Sequence, residues 1–116
     1  MKVLWSKTGS KGNASVISDG QTLIQIDAGI SPEKVNQNIG YNLSDVSGII
    51  VSHAHIDHSA FISRFMRLGM KVYANEETWL KTQISRPTRN AVTIQSGKQF
   101  NVGTFVVKPF DVYHVN

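Results

Sequence analysis

The stretch His53-Ala54-His55-Ile56-Asp57-His58 places three imidazoles and one carboxylate in six residues, although the whole chain has only four histidines. It follows a short apolar run, Gly48–Ser52, that is typical of a buried strand. Neutral imidazole and carboxylate are common ligands of Zn²⁺ and similar ions. A polar loop after a strand is also where α/β proteins place their chemistry. A metal site is therefore favoured over an exposed polar loop or a pH-sensitive histidine cluster.

The spacing within this stretch predicts two neighbouring metal positions. Residues i and i+2 of an extended segment project to the same side, so His53 and His55 can meet one ion. Asp57 and His58 follow on the turn into a helix and point to an adjacent position. Two ions about 3.5–4 Å apart are an arrangement that hydrolytic enzymes use. The chain has no cysteine, which makes a closed structural zinc site the weaker alternative.

The composition indicates one globular domain. The 116 residues are 41% hydrophobic and 17% charged, which is enough for a core. No apolar run reaches membrane-spanning length, and the first residues lack a signal-peptide pattern. Together with the absence of cysteine, this leads us to expect a cytoplasmic protein with no membrane partner. The net charge of +4 favours a polyanionic partner such as nucleic acid, or reflects a few dispersed surface lysines.

Strands and helices are predicted to alternate around the histidine stretch. Asp19-Gly20 is a hairpin signal between two strands, and Ser31 and Asn75 are predicted helix N-caps. A single amphipathic helix is expected after the histidine stretch. The predicted strands span residues 2–6, 14–18, 21–27, 48–52, 71–74, 91–94, 98–102 and 104–110.

Two further segments carry polar residues near predicted strand ends. Thr8–Asn13 is a glycine-punctuated loop whose amides and hydroxyls line a site or cradle a phosphate. A plain hairpin connection is the favoured alternative for that loop on local sequence alone. Asp27 ends a strand just before Gly29. Catalysis and metal binding remain open for this carboxylate, but anchoring of a neighbouring loop needs no special geometry and is favoured.

His53–His58 has the form of the HxHxDH signature of the metallo-β-lactamase fold. Thr8–Asn13 resembles the Ser-Gly-Ser-x-Gly-Asn loop of a branch of that superfamily containing cytoplasmic phosphodiesterases and 5′-exonucleases. Val72–Trp79 is also similar to a segment of that branch, so the resemblance runs the length of the chain. It implies an α/β (α+β) fold: half of an αββα sandwich, with a mixed, mostly antiparallel sheet and helices on one face.

The resemblance also implies a set of metal ligands. His53, His55 and His114 would bind a first ion, and Asp57 and His58 would bind a second. Asp57 would in addition orient or deprotonate the attacking water. Zn²⁺ is the expected metal, with Mn²⁺ or Fe²⁺ as alternatives, and the complete domain would hold two ions.

Residues outside the signature receive roles from the same resemblance. Asp27 would hold the loop that carries the signature in place without binding a metal, as the partners of metal ligands commonly do. This loop, residues 53–58, is called the motif loop or the motif. Ser10, Gly12 and Asn13 would contact the substrate.

The resemblance departs from the complete fold in one respect. The resemblance implies that residues 1–116 are a truncated N-terminal half, so the ligands of the second half are absent and the chain alone is expected to be inactive. Self-association or a missing C-terminal half is the expected partner. The implied function is a metal-dependent hydrolase, with phosphodiesters and nucleic acid as the favoured substrates. The alternatives are hydrolysis of a thioester, lactone or β-lactam, and a non-catalytic metal-binding or interaction module.

Overall fold

The computed structural model describes residues 1–84 and 89–110, in which strands and helices alternate. The strands are β1 (Lys2–Lys7), β2 (Ala14–Ser18), β3 (Leu23–Ile26), β4 (Val46–Ile50), β5 (Val72–Asn75), β6 (Ala91–Ile94), β7 (Phe100–Val102) and β8 (Phe105–Val107). The helices are α1 (Pro32–Asn38), α2 (Ile56–Ser59), α3 (Ile62–Arg67) and α4 (Glu76–Thr82), with a 3₁₀ turn at Leu43–Asp45.

Strands β1 to β6 form one mixed sheet in sequence order. The β1–β2 and β2–β3 pairs are antiparallel, whereas β3–β4, β4–β5 and β5–β6 are parallel. The predicted α/β class and mixed sheet are confirmed. The expectation of mostly antiparallel pairing is wrong for this sheet, because three of its five pairings are parallel. Helix-bearing crossovers connect the parallel pairs and return the chain to the same edge, whereas short turns produce the antiparallel ones.

One apolar core lies between the sheet and its helices. Alternate strand residues point into it, such as Ile49 and Val51 of the β4 segment and Val72 and Ala74 of β5. Because α1, α3 and α4 all contribute to this one core, they lie on the same face of the sheet, as predicted. The largest fully buried apolar side chains come from both layers: Trp79, Phe65, Ile49, Ile62, Val16, Val35 and Val72.

The β7–β8 hairpin lies against the opposite face of the sheet. The rings of Tyr73 and Phe100 stack with their centroids 5.2 Å apart. Val102 is buried, and a Cβ added to Gly48 would lie 3.2 Å from the Val102 side chain. The hairpin therefore covers part of the face that a half-sandwich would expose. Phe110, after β8, remains 75% exposed, and self-association through this face stays a prediction.

The turn between β2 and β3 connects the sheet to this hairpin. It takes four residues rather than the predicted two, because Ser18 pairs with Leu23. Thr104 donates to the Asp19 carboxylate, and with the amides of Thr22 and Gln21 it lowers the pKa of Asp19 from 3.8 to about 2. Because the folded pKa lies below the ordinary value, the stabilisation is present above about pH 4 and is lost as the pH falls toward 2.

Both predicted helix N-caps are confirmed. The Ser31 hydroxyl accepts from the Lys34 N–H at 3.4 Å, and Asn75 Oδ1 accepts from the Thr78 N–H at 2.8 Å. In the described ranges, no helix is long and apolar enough to cross a membrane.

Candidate metal centre

The histidine stretch lies at the carboxyl ends of two neighbouring parallel strands. Asp27 follows β3 directly, and His53 comes three residues after the end of β4. Ile26 pairs with Ile50 at these strand ends, and the Asp27 N–H donates to the Ile50 carbonyl oxygen at 2.8 Å. Since both strands run in the same direction, Asp27 and the histidine stretch meet at one edge of the sheet.

Asp27 is a buried carboxylate, 7% exposed, and its oxygens contact the motif loop and the residue that precedes it. Oδ1 accepts from the N–H and the hydroxyl of Ser52, each at 2.8 Å, and Oδ2 lies 2.8 Å from His58 Nδ1. The φ of Asp27 is +69°, a left-handed conformation that Asp tolerates better than most residues. Gln25, fully buried in β3, donates from Nε2 to the Asp27 carbonyl oxygen at 2.9 Å and supports this bend.

His58 is held between two carboxylates. With Nδ1 against Asp27, its Nε2 lies 3.5 Å from Asp57 Oδ2. This separation is long for a hydrogen bond. Two ligands of one tetrahedral ion, each at about 2.0–2.1 Å, are separated by about 3.4 Å. The donor types and the separation of these two atoms therefore fit a divalent cation between them.

His53 and His55 stand next to this pair. Their rings stack with centroids 6.0 Å apart, and the centroid of His53 lies 4.8 Å from that of His58. His53 Nδ1 lies 2.8 Å from the Ser52 hydroxyl. Within residues 1–84 and 89–110, no three His, Asp or Glu side chains are gathered closely enough to hold one ion. His53 thus lies nearer to the ring of His58 than to that of His55, and the predicted ligands among the described residues are neighbours without forming a closed cage.

His114, the predicted third ligand of the first ion, lies outside the described residues. Its role stays a prediction from sequence.

The helix that follows the motif is interrupted, whereas a single helix was predicted. The Asp57 carbonyl oxygen accepts from the Asn13 N–H, and the His58 carbonyl oxygen accepts from the Ala28 N–H, each at 2.7 Å. Phe61 in turn donates its N–H to the Ala28 carbonyl oxygen at 2.8 Å. These bonds tie the first helical turn to the strand-end loops, and the chain divides into α2 and α3 at this point.

The glycine-rich loop at residues 8–13 packs beneath the motif. Gly12 is buried, and a Cβ added to it would lie 2.4 Å from the Gly29 carbonyl oxygen. Asn13 directs its side-chain amide at Asp57, whereas Ser10 is exposed. Substrate contact by Ser10, Gly12 and Asn13 stays a prediction.

Two serines in the site were missed by the sequence reasoning. The Ser52 hydroxyl contacts both Asp27 and His53. Ser59 is buried and donates to the His55 carbonyl oxygen at 3.0 Å. The only sequence signal was a hydroxyl directly before the first histidine and another directly after the last, which is weak evidence because serine is common in loops.

A cleft of about 470 Å³ opens beside the motif loop. One wall is formed by His53 and His55, and the others come from α4, the end of β6 and the segment after β8. On the α4 wall, Lys81 Nζ lies 2.7 Å from Glu77 Oε1 and lowers the pKa of that carboxyl. The cleft thus combines imidazoles, the ammonium group of Lys81 and an apolar surface. The apolar surface is supplied by Ile94, Val107 and Phe110.

Comparison with known proteins identifies relatives over most of the chain. The chain is 32% identical over 114 residues to the exodeoxyribonuclease YycJ of Bacillus anthracis, and 28% identical over 116 residues to the exodeoxyribonuclease WalJ of Streptococcus pneumoniae. Each match covers 92% of this chain but 43% of the relative. The chain therefore spans less than half the length of these curated relatives.

A solved structure of similar fold and a family model that matches the sequence both indicate one family. The Rm3 metallo-β-lactamase superposes with a TM-score of 0.66 at 26% sequence identity, over 90% of this chain and 45% of that protein. Residues 8–109 match the family described as the Metallo-beta-lactamase superfamily. These residues include the motif, its supporting loops and the six-stranded sheet from β2 onward. The chain belongs to the metallo-β-lactamase superfamily.

Proposed function

We propose that this chain is the metal-binding half of a metal-dependent hydrolase that cleaves phosphodiester bonds of nucleic acid. The observation that carries the proposal is the contact series Asp27–His58–Asp57, in which Nε2 and Oδ2 stand 3.5 Å apart. The fold of the superfamily implies divalent metal ions. The relatives' names, exodeoxyribonuclease in each case, favour DNA as the substrate.

The proposed ligands form two sets. We assign His53, His55 and His114 to a first ion and Asp57 and His58 to a second. Zn²⁺ is the proposed metal, with Mn²⁺ and Fe²⁺ as alternatives, because imidazole and carboxylate suit all three. The two ions belong to the complete domain.

The proposed chemistry divides between the ions and the side chains. When bound, the ions lower the pKa of a water molecule and stabilise negative charge on the phosphate. Asp57 would accept the proton that this water loses as its oxygen bonds to phosphorus. The bond from phosphorus to the leaving oxygen would break, and that oxygen would keep the electron pair. Asp27 engages His58 Nδ1, so the ring keeps presenting Nε2.

The substrate class is supported by the charge of the chain and by the cleft. A net charge of +4 attracts polyanions. Lys81 lies on the α4 wall of the cleft that His53 and His55 also line. We assign Lys81 to a phosphate of the substrate, which it would bind in exchange for Glu77.

The division of the domain is part of the proposal. We assign residues 1–116 to the N-terminal half of a metallo-β-lactamase domain, because each match covers 43% of the curated relative. A C-terminal half would then complete both metal positions. This agrees with the finding that no three such side chains are gathered around one position in the part of the chain that the structure describes.

Two other functions have a specific observation in their favour. Similarity to the Rm3 metallo-β-lactamase favours hydrolysis of a β-lactam, or by extension of a lactone or thioester. Among residues 1–84 and 89–110, no three ligand side chains are gathered closely enough to hold one ion, which favours a non-catalytic metal-binding or interaction module.

A nuclease assay with metal analysis distinguishes these functions. The longest natural product of this reading frame is incubated with 5′-labelled DNA and, separately, with a chromogenic β-lactam, in Mn²⁺ or Zn²⁺. We expect DNA cleavage that is lost on chelation and in Asp57→Asn. Cleavage of the β-lactam alone would establish the first alternative, and bound metal without any turnover would establish the second. A protein that retains no metal by elemental analysis would contradict all three.

Replacement of Asp27 by Asn is expected to weaken metal affinity about 10–100-fold, as is common for partners of metal-binding histidines. Asn keeps the size of the side chain and tolerates the left-handed backbone of Asp27, but it removes the charged acceptor of His58 Nδ1. Competition with a fluorescent chelator measures the change.

Asp45→Asn is the matched control, because Asp45 is an exposed carboxylate in the 3₁₀ turn. It removes one charge and should leave the affinity unchanged. Equal affinities of Asp27→Asn and the parent chain would reduce Asp27 to an ordinary turn residue.

A further inference from the structure

Asn13 lies at the point where the glycine-rich loop meets the motif. Its backbone N–H donates to the Asp57 carbonyl oxygen at 2.7 Å, and its carbonyl oxygen accepts from the Gly29 N–H at 2.9 Å. Both bonds join segments that are distant along the chain. They hold the backbone of Asn13 against the motif independently of the Asn13 side chain.

The side chain of Asn13 is also fully engaged. Oδ1 accepts from the Gly9 N–H at 3.0 Å, and Nδ2 donates to the Gly9 carbonyl oxygen at 2.9 Å. Nδ2 also donates at 3.1 Å to the carbonyl oxygen of Asp57 and to its Oδ2. This network fixes the amide orientation, because Gly9 N–H is a donor and both Asp57 atoms are acceptors.

The side-chain amide of Asn13 restricts the orientation of the Asp57 carboxylate. The terminal torsion of an aspartate is broad, so an unsupported carboxylate samples many orientations. Here Oδ2 is bonded to Asn13 Nδ2 and stands 3.5 Å from His58 Nε2. The bond is of the charge-assisted kind. It therefore selects the rotation of Asp57 that keeps Oδ2 beside the imidazole.

We infer that Asn13 is a positioning residue that orients the Asp57 carboxylate toward the metal position shared with His58. This inference rests on the proposed function for its purpose, but the contact itself exists without metal. It gives the glycine-rich loop a role different from substrate contact. The loop packs against the motif, and the side-chain amide of Asn13 acts on the proposed metal position through Asp57.

The contact is tested first in the metal-free chain. ¹⁵N NMR follows the side-chain amide of Asn13 in the parent, in Asp57→Asn and in the control Asp45→Asn. We expect Asp57→Asn to shift the amide signals and to speed their hydrogen exchange, because the charged acceptor is lost. Asp45→Asn should leave them in place. Identical spectra for the parent and Asp57→Asn would overturn the inference.

The consequence is tested by titration with Mn²⁺. Asn13→Ala should weaken the affinity about tenfold, in the range found for residues that orient metal ligands. Thr8→Ala, an exposed change in the same loop, is the matched control and should bind Mn²⁺ like the parent. A lower melting temperature of Asn13→Ala with unchanged Mn²⁺ affinity would show a merely structural residue and overturn the inference.

The two experiments also separate this inference from the proposed function. A parent chain that binds no Mn²⁺ would contradict the proposed function. The NMR comparison would still decide whether Asn13 orients Asp57. A parent that binds Mn²⁺, together with unchanged affinity in Asn13→Ala, would leave the proposed function standing and remove the role of Asn13.

Discussion

Replacement of Gly29 by Ala is expected to lower the free energy of unfolding by about 3 kcal/mol, the sum of an overpacked contact and one or two lost backbone hydrogen bonds. A Cβ on Gly29 would lie 1.8 Å from the Asp57 carbonyl oxygen and 2.7 Å from the Asn13 nitrogen. Both are backbone atoms, so no side chain can rotate away. The motif turn has to move, and the 2.7 Å bond between Asn13 and Asp57 breaks with it.

Urea unfolding, followed by tryptophan fluorescence, measures this change. Gly40→Ala is the control: its φ of +74° strains an alanine, but no atom lies within 4 Å of the added Cβ. Backbone strain alone should cost about 1–2 kcal/mol there. If Gly29→Ala is no more destabilising than Gly40→Ala, the result would contradict the close contact of Gly29 with the backbones of Asp57 and Asn13.

Local patterns predicted the framework that delivers the site. The apolar run before His53 and the ligand-rich stretch itself placed the site at a strand end, and the caps at Ser31 and Asn75 follow from short-range hydrogen bonding. Hairpin signals also identified the antiparallel opening of the sheet. The direction of β3 to β6 was misjudged, because parallel pairing depends on how whole crossovers fold back rather than on any local motif.

Sequence reasoning favoured Asp27 as an anchor of a neighbouring loop, but local patterns did not identify the partners in the supporting contacts. The Asn13–Asp57 contact joins residues 44 positions apart, and the Asp27–His58 contact joins residues 31 apart. Sequence spacing relates only residues a few positions apart on a helix or strand. The interruption between α2 and α3 has the same origin, since Phe61 donates to Ala28 and not to the preceding helical turn. The predicted ligand His114 lies outside the described residues.

The same backbone crossing links stability to the candidate chemistry. Gly29, Asn13 and Asp57 form a chain of hydrogen bonds in which each segment holds the next. A change at Gly29 should therefore disturb metal binding as well as folding, although a glycine offers no ligand. By contrast, the imidazole of His55 lies in the candidate site but takes no part in the hydrogen bonds that join Gly29, Asn13 and Asp57.

Replacement of His55 by Ala is expected to remove metal binding at the first position, so that the chain or its complete domain holds one ion fewer. The fold should persist. His55 is exposed and stands at the N-cap of α2, where its side chain makes no capping hydrogen bond. The loss of an imidazole from a position with few ligands leaves too little coordination to retain an ion. Elemental analysis after dialysis measures the stoichiometry, and far-UV circular dichroism reports the fold.

Ile56→Ala is the control for this prediction, because Ile56 is the adjacent residue and is 78% exposed. It removes a side chain from the same turn without removing a donor, and it should keep the metal content of the parent. An unchanged stoichiometry in His55→Ala would show that His55 is not a ligand. Loss of metal in both variants would instead indicate that the turn, rather than the imidazole, determines binding. Loss in His55→Ala alone would place the first ion at the His53–His55 pair, one turn from the carboxylate that Asn13 holds.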